Sequence, residues 1–222
     1  MLKMMRHHAK YFYGLFFIVI LSFIFWGVGT VDKTSSGGIV AEVGKHKITQ
    51  EEYYRAYDNA FRFYKDLYKE KFDEEMQKKL KLKDTTLDSL IGRRLLLLAA
   101  AENGVKVSDE ELNEAIINEP AFMKDGVFDN HLYQDTLRLS RITPEAYESM
   151  KRQELTVTRM TRLIELSAAP PAIDLGKLSA DEQTLKALKN AMLNDAKDKA
   201  VKAYIDGYKK SIKIKEYRQL IS

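Results

Sequence analysis

One long uncharged segment constrains this chain more than any other feature of its sequence. It reads YFYGLFFIVILSFIFWGVGTV and lies between Lys10 and Asp32. As a helix, its roughly 21 residues would span about 31 Å, which matches the hydrocarbon thickness of a bilayer. Leu, Ile, Phe and Val dominate it, and each favours insertion by about 0.3–0.6 kcal/mol at the membrane centre. Tyr11–Val31 is therefore predicted to be a transmembrane anchor.

The charges on either side of this segment predict its orientation. Only Lys33 is basic soon after it. The basic residues before it, with no acidic residue among them, are Lys3, Arg6 and Lys10. Because cytoplasmic flanks of membrane helices carry an excess of Lys and Arg, we expect residues 1–10 in the cytoplasm and everything after Val31 outside it.

A cleaved signal peptide is the alternative to an uncleaved anchor. Gly27, Val28 and Gly29 form a small-x-small triplet of the kind found at cleavage sites. The apolar run, however, exceeds the usual 7–15 residues of a signal sequence, and the triplet is not rich in alanine. The sequence favours the anchor.

The composition excludes several classes of function. The net charge of +4 is small and its charges are interspersed, which argues against a nucleic-acid binder. The absence of cysteine excludes disulfides and thiolate metal sites. The four histidines form no cluster in the body of the chain, and no phosphate-binding loop or HExxH motif is present. The sequence therefore predicts no cofactor, no metal site and no nucleic-acid partner.

The body after the short spacer KTSSGG is predicted to be mainly helical. Residues Ile39–Ile48 predict a β-hairpin with its turn at Gly44 and Lys45. A helix with one apolar face is expected over Thr85–Asn103. Four capping signals predict helix starts, at Thr49 with Glu52, Ser108 with Glu111, Asp129, and Thr143 with Pro144.

The stretch SAAPPAIDLGKLSADEQ interrupts this helical pattern, because adjacent prolines cannot continue a helix. After it, a helix is expected with Val201, Tyr204, Ile205 and Tyr208 on one side. In the following SIKIKEY, isoleucines alternate with lysines, which predicts a short strand with one buried face. Since a lone strand needs a partner, we expect it to pair with the hairpin at Ile39–Ile48 and to close a single domain.

Two sets of side chains are candidates for either a packed core or a binding surface. Tyr57, Phe61, Tyr64 and Tyr68 follow 4-3-4 spacing and predict one aromatic stripe, which is either core or binding surface. Methionines could fill gaps in the core or form an adaptable surface, and these are Met123, Met150, Met160 and Met192.

Two acidic clusters contain enough carboxylates to raise the question of metal binding or acid–base catalysis. They are Asp73–Glu75 and Asp109–Glu111. Acidic residues also belong in the first turn of a helix, beside its positive end, and this interpretation is favoured for both clusters. No catalytic residue is predicted.

Three stretches resemble, in order, the N-terminal chaperone domain of SurA. They are VAEVGKHKITQEEYYRAY (Val40–Tyr57), LDSLIGRRLLLLAAAENGVKVSDEEL (Leu87–Leu112) and AFMKDGVFDNHLYQDTLRLSRITPEAYESMKRQEL (Ala121–Leu155). The anchor with its basic lead is similar to the membrane-anchored, PpiD-like members of that family. The last segment, KAVKAYIDGYKKSIKIKEYRQLI, is similar to the family's closing helix and strand.

The resemblance implies a periplasmic chaperone of the bacterial inner membrane that binds unfolded or newly exported polypeptides. In such proteins a parvulin prolyl isomerase domain, with paired histidines, lies between the long helix and the closing helix. Here that position holds only the proline-rich stretch, and no histidine follows His131. The resemblance therefore implies a holdase without isomerase activity. A prolyl isomerase by family label and a dedicated assembly partner of one exported protein are the alternatives.

The expected fold class is mainly α, with a small sheet formed by the N-terminal hairpin and the C-terminal strand. The expected division is a basic tail (1–10), an anchor (11–31), a linker (32–38) and a SurA-like domain (39–222). That domain would consist of an N-terminal part (39–166), a proline-rich linker (167–183) and a closing helix and strand (184–222). The sequence does not indicate whether the protein is a monomer or an oligomer.

Overall fold

The computed structural model of the chain describes residues 38–168 and 181–221. The predicted anchor, Tyr11–Val31, and most of the proline-rich stretch lie outside the described residues. Within the described ranges, no helix is long and apolar enough to cross a membrane. The described residues from Ile39 onward form one compact unit.

Helices dominate the described residues, and the strands are short. The helices are α1 (Gln50–Tyr68), α2 (Glu74–Lys79), α3 (Leu82–Glu102), α4 (Asp109–Ile117), α5 (Asn130–Leu139), α6 (Pro144–Leu166) and α7 (Glu182–Lys209). The strands are β1 (Ile39–Val43), β2 (His46–Thr49), β3 (Met123–Lys124), β4 (Val127–Phe128) and β5 (Ile214–Glu216). The expected class, mainly α with small antiparallel sheets, is confirmed.

The predicted capping residues begin four of these helices. The Thr49 hydroxyl accepts a hydrogen bond from the Glu52 amide at 3.2 Å, and Thr143 and Asp129 cap α6 and α5 in the same manner. Ser108 forms a complete capping box with Glu111 at the start of α4.

Helix α3 starts at Leu82, three residues before the predicted Thr85. The Thr85 hydroxyl does not cap the helix, because it donates back to the carbonyl oxygens of Leu80 and Lys81. The residue before the helix, Lys81, has left-handed backbone angles, with φ of 47°. A lysine in that conformation gives no sequence signal for a helix start.

The C-terminal strand pairs with the N-terminal hairpin, as predicted. The sheet order is β2-β1-β5, and both pairings are antiparallel. Glu42 lies opposite Lys215 in this sheet and forms an ion pair with it at 3.2 Å. The Tyr217 amide donates to the Val40 carbonyl at 2.9 Å and so extends the pairing beyond β5.

Two of the three hydrophobic clusters lie along α3. The central cluster combines the hairpin, α1, α3 and the C-terminus, and contains Val40, Ala41, Val43, Ile48, Tyr53, Leu87, Ile91, Leu95 and Ile221. The second cluster joins α3 to α6, with α7 packed against it, and contains Leu96, Ala99, Ala100, Met160 and Ile164. The predicted apolar face of α3 is therefore the centre of the fold.

The third cluster forms a small lobe of α4, α5 and the β3–β4 hairpin. Its buried residues are Val107, Leu112, Ile116, Phe122, Tyr133 and Leu137. Polar contacts fasten this lobe to α6: Lys151 binds Glu119 at 2.8 Å, and Arg152 binds the Val107 carbonyl.

Two glycines, one in the middle of α3 and one just beyond its C-terminal end, are expected to respond to alanine in opposite directions. A Cβ at Gly92 would lie 3.6 Å from Ile205, which is ordinary contact, so G92A should raise the free energy of unfolding by about 0.5–1 kcal/mol. Gly104 has φ of +68°, so G104A should lower it by about 1 kcal/mol. Urea unfolding measures the free energy of unfolding of both variants. Destabilisation by G92A would contradict the packing described for α3 and α7.

Candidate functional site

The four residues of the predicted aromatic stripe lie along α1, and each is half-buried. The ring centroids of Tyr57 and Phe61 are 6.3 Å apart, and those of Tyr64 and Tyr68 are 6.2 Å apart. Tyr57 packs against the central cluster, whereas Phe61, Tyr64 and Tyr68 belong to none of the three clusters. Of the four residues, only Tyr57 therefore packs against one of these clusters.

Phe72 supports the far end of the stripe from the loop between α1 and α2. Its side chain is only 9% exposed. Its ring centroid lies 5.2 Å from that of Phe61 and 6.1 Å from that of Tyr64. The spacing pattern of α1 gave no indication of this residue, because it lies beyond the end of the helix.

Beside the stripe, two large apolar side chains remain in solvent. Phe63 is 64% exposed and Leu67, one helical turn later, is 59% exposed. The rings of Phe63 and Tyr64 meet edge to face, with centroids 5.5 Å apart. We call Phe61, Phe63, Tyr64, Leu67 and Tyr68 the aromatic patch. These five side chains lie within eight consecutive positions of α1, and clustered apolar side chains at a protein surface mark a contact site more often than scattered single residues do.

An open cleft of about 400 Å³ adjoins the patch where α1, α2 and the start of α3 meet. We call it the lysine cleft. Its apolar lining comes from Tyr57 and Leu82. Its polar lining comes from Glu74, Gln77, Lys78, Lys81, Lys83 and Asp84. Tyr57 lines the cleft and its ring contacts that of Phe61, so the cleft adjoins the patch.

Two interactions fix the wall of the cleft at the start of α3. The buried Tyr53 hydroxyl donates to the Lys83 carbonyl at 3.2 Å, and burial raises the pKa of Tyr53 to about 12, so that it stays protonated. The guanidinium of Arg218 binds Asp84 and, at 2.7 Å, Asp88. Partial burial alone would lower the pKa of Arg218, but its hydrogen bonds to Asp88, Glu216 and Asp84 raise it.

The four candidate methionines occupy different environments. Met192 is half-buried on α7. Met123 is half-buried on β3, and Met150 is exposed on α6. Met160 is 5% exposed and belongs to the cluster that joins α3 to α6. Met160 therefore fills a gap in the core and is not part of an adaptable surface.

The acidic clusters have structural roles in the described part of the chain. Asp73 caps α2, and its carboxylate accepts from the Met76 amide at 2.8 Å. Glu111 forms an ion pair with Arg159, and this hydrogen bond lowers the pKa of Glu111. Asp109 pairs with Arg152. No group of three or more His, Asp or Glu side chains among the described residues could hold a metal ion.

Comparison with known proteins agrees with this architecture. Residues 1–161 match the family described as SurA-like N-terminal domain. The "Periplasmic chaperone PpiD" of Escherichia coli (strain K12) is 30% identical over 150 residues, which is 66% of this chain and 24% of that protein. The PpiD of Haemophilus influenzae is 26% identical over 155 residues, or 68% of this chain and 24% of the relative. The aligned region thus spans about a quarter of the length of these relatives. Since the family match covers more than half of its residues, the chain belongs to the SurA-like N-terminal domain family.

Proposed function

We propose that this protein is a membrane-anchored periplasmic chaperone that holds unfolded or newly exported polypeptides and catalyses no reaction on them. The observation that carries this proposal is the aromatic patch, where Phe63 and Leu67 stay exposed beside a row of half-buried rings. The family membership and the names of the PpiD relatives support it. The division into anchor, linker and body is part of the same proposal.

The patch would act by covering apolar segments of a client for a short time. Full burial of a Phe or Leu side chain contributes about 1.5–3 kcal/mol, and the ordering of both partners on binding offsets part of that gain. A few such side chains therefore give weak, reversible binding. Ring faces and a leucine side chain impose little directional demand, so the surface tolerates many client sequences.

The sequence also supports a role without catalysis. The family resemblance implies an isomerase domain between the long helix and the closing helix. In this chain the corresponding position, between α6 and α7, holds a short stretch without any histidine. His131 is exposed at the start of α5.

An aggregation assay with the full chain in nanodiscs of neutral lipid tests the proposal. The protein should slow the aggregation of several unrelated unfolded proteins at near-stoichiometric ratios without ATP. It should not accelerate cis–trans exchange of a proline peptide. Isomerase activity that survives repurification would contradict the holdase proposal. Failure with every client, together with one dominant partner in periplasmic crosslinking, would favour a dedicated assembly partner.

The proposed topology makes a separate prediction. Because the basic residues precede the apolar segment, a reporter that is active only outside the cytoplasm should work when it is fused after Ser222. The membrane fraction should contain the uncleaved chain. Activity of a cytoplasm-only reporter at the same position would overturn the orientation, and a shortened soluble product would indicate a cleaved signal peptide.

A further inference from the structure

We propose that the lysine cleft is a subsite for a client carboxylate, so that the protein prefers polypeptide segments in which an acidic residue lies near an apolar one. This inference rests on the proposed function and adds a client class to it. The cleft volume of about 400 Å³ lies within the range of sites that accept side chains and small ligands.

The charges of the cleft favour an anion. Lys78, Lys81 and Lys83 are exposed, and none of them forms an ion pair with another described residue. Two carboxylates share the lining, Glu74 and Asp84, but Asp84 is already bound by Arg218. Free positive charge therefore exceeds free negative charge along the wall.

The position of the cleft next to the aromatic patch explains why the anion would come from a client. The Tyr57 ring lines the cleft, and its centroid is 6.3 Å from that of Phe61 at the edge of the patch. An extended segment that lays an apolar side chain on the patch can thus place a carboxylate in the cleft a few residues away. Aspartate and glutamate side chains are the anions that an unfolded polypeptide carries.

The chemistry of lysine suits such a subsite. Its ammonium is a point charge on a flexible stem, so it accepts a carboxylate from many directions, whereas arginine favours one planar geometry. The lysines are exposed, so each contact is weak and is screened by salt. The cleft would bias the choice among clients and would leave the apolar contacts as the main source of affinity.

Matched peptides provide the first test. Three unstructured fluorescent peptides share one Leu–Phe centre and differ only in whether Glu, Gln or Lys flanks it. Fluorescence anisotropy with the full chain in neutral-lipid nanodiscs should show the Glu peptide binding about fivefold more tightly than the Gln peptide at about 50 mM salt. The Lys peptide should bind more weakly than both, and the differences should vanish at about 0.5 M salt.

Charge-matched variants provide the second test. K78Q/K81Q/K83Q should remove the preference for Glu over Gln and should still bind the Gln peptide. The control K186Q/K189Q/K202Q changes three exposed lysines of α7, removes the same net charge and should keep the preference.

The two proposals fail in distinguishable ways. Equal affinity for the Glu and Gln peptides on the unaltered chain would overturn the carboxylate subsite and leave the holdase standing. Equal loss of the preference in both triple variants would show a general charge effect and would also overturn it. Absence of binding to all three peptides, together with unsuppressed aggregation, would overturn the proposed function itself. The comparison on the unaltered chain does not depend on the folding of any variant.

Discussion

A chain that ends at Ala168 is expected to lose the cooperative unfolding transition of its whole body. The residues after the proline-rich stretch supply β5 to one edge of β1, and Ile221, which is 4% exposed, to the central cluster. They also pack Ile205 and Tyr208 against both clusters along α3. Loss of each large buried side chain costs about 2–5 kcal/mol, whereas an ordinary domain is stable by only about 5–15 kcal/mol.

Thermal unfolding followed by circular dichroism measures this effect. Point variants measure how much single side chains of the closing segment contribute to the free energy of unfolding. I221A should lower the free energy of unfolding by about 2–4 kcal/mol. The control L188A lies on the same closing segment, where Leu188 is exposed, and should change it by less than about 1 kcal/mol. A chain ending at Ala168 that melts cooperatively at the temperature of the unaltered chain would refute the closed domain.

This closure could be predicted from sequence because β-strands leave a strong local signal. Ile212 and Ile214 alternate with lysines, and the only other strand segment that the sequence pattern predicted was Ile39–Ile48, so the pairing had one candidate partner. The helix caps at Ser108 and Thr143 were predictable for a similar reason, because a cap is a contact between residues a few positions apart.

The surface of the candidate site could be predicted only in part. Periodicity identified the aromatic stripe, but it does not show which part of a stripe the neighbouring elements cover. The exposed Phe63 and Leu67 lie off the 4-3-4 spacing, and Phe72 reaches the stripe from a loop. The lysine cleft depends on how α1, α2 and α3 meet, and on the left-handed backbone of Lys81 at that junction. These features depend on tertiary contacts, which leave no local pattern in the sequence.

The same reasoning explains why the ion pairs of the small lobe were missed. The cluster Asp109–Glu111 was correctly predicted to lie in the first turn of a helix. The partners of its carboxylates, Arg152 and Arg159, are about forty to fifty residues later in the chain, on α6. Helix propensity and capping describe α4 alone, so they carry no information about which helix lies beside it.

Replacement of two exposed side chains of the aromatic patch is expected to weaken holding strongly without unfolding the protein. F63S/L67S removes two apolar groups that already face solvent, so its melting temperature should stay close to that of the unaltered chain. If a client covers even half of each side chain, the loss is about 0.8–1.5 kcal/mol per residue, and the affinity for an unfolded client should fall about tenfold or more.

A matched double variant decides whether the position or merely the apolar character matters. V127S/L139S changes two side chains of the small lobe that are exposed to a similar or greater degree, at 69% and 82%. It removes comparable apolar surface away from α1 and should suppress aggregation as well as the unaltered chain does. Equal loss in both variants would mean that clients bind any exposed apolar residue. Full activity of F63S/L67S would place client binding elsewhere, because the remaining stripe residues are half-buried and are held by Tyr57 and Phe72 against the body of the protein.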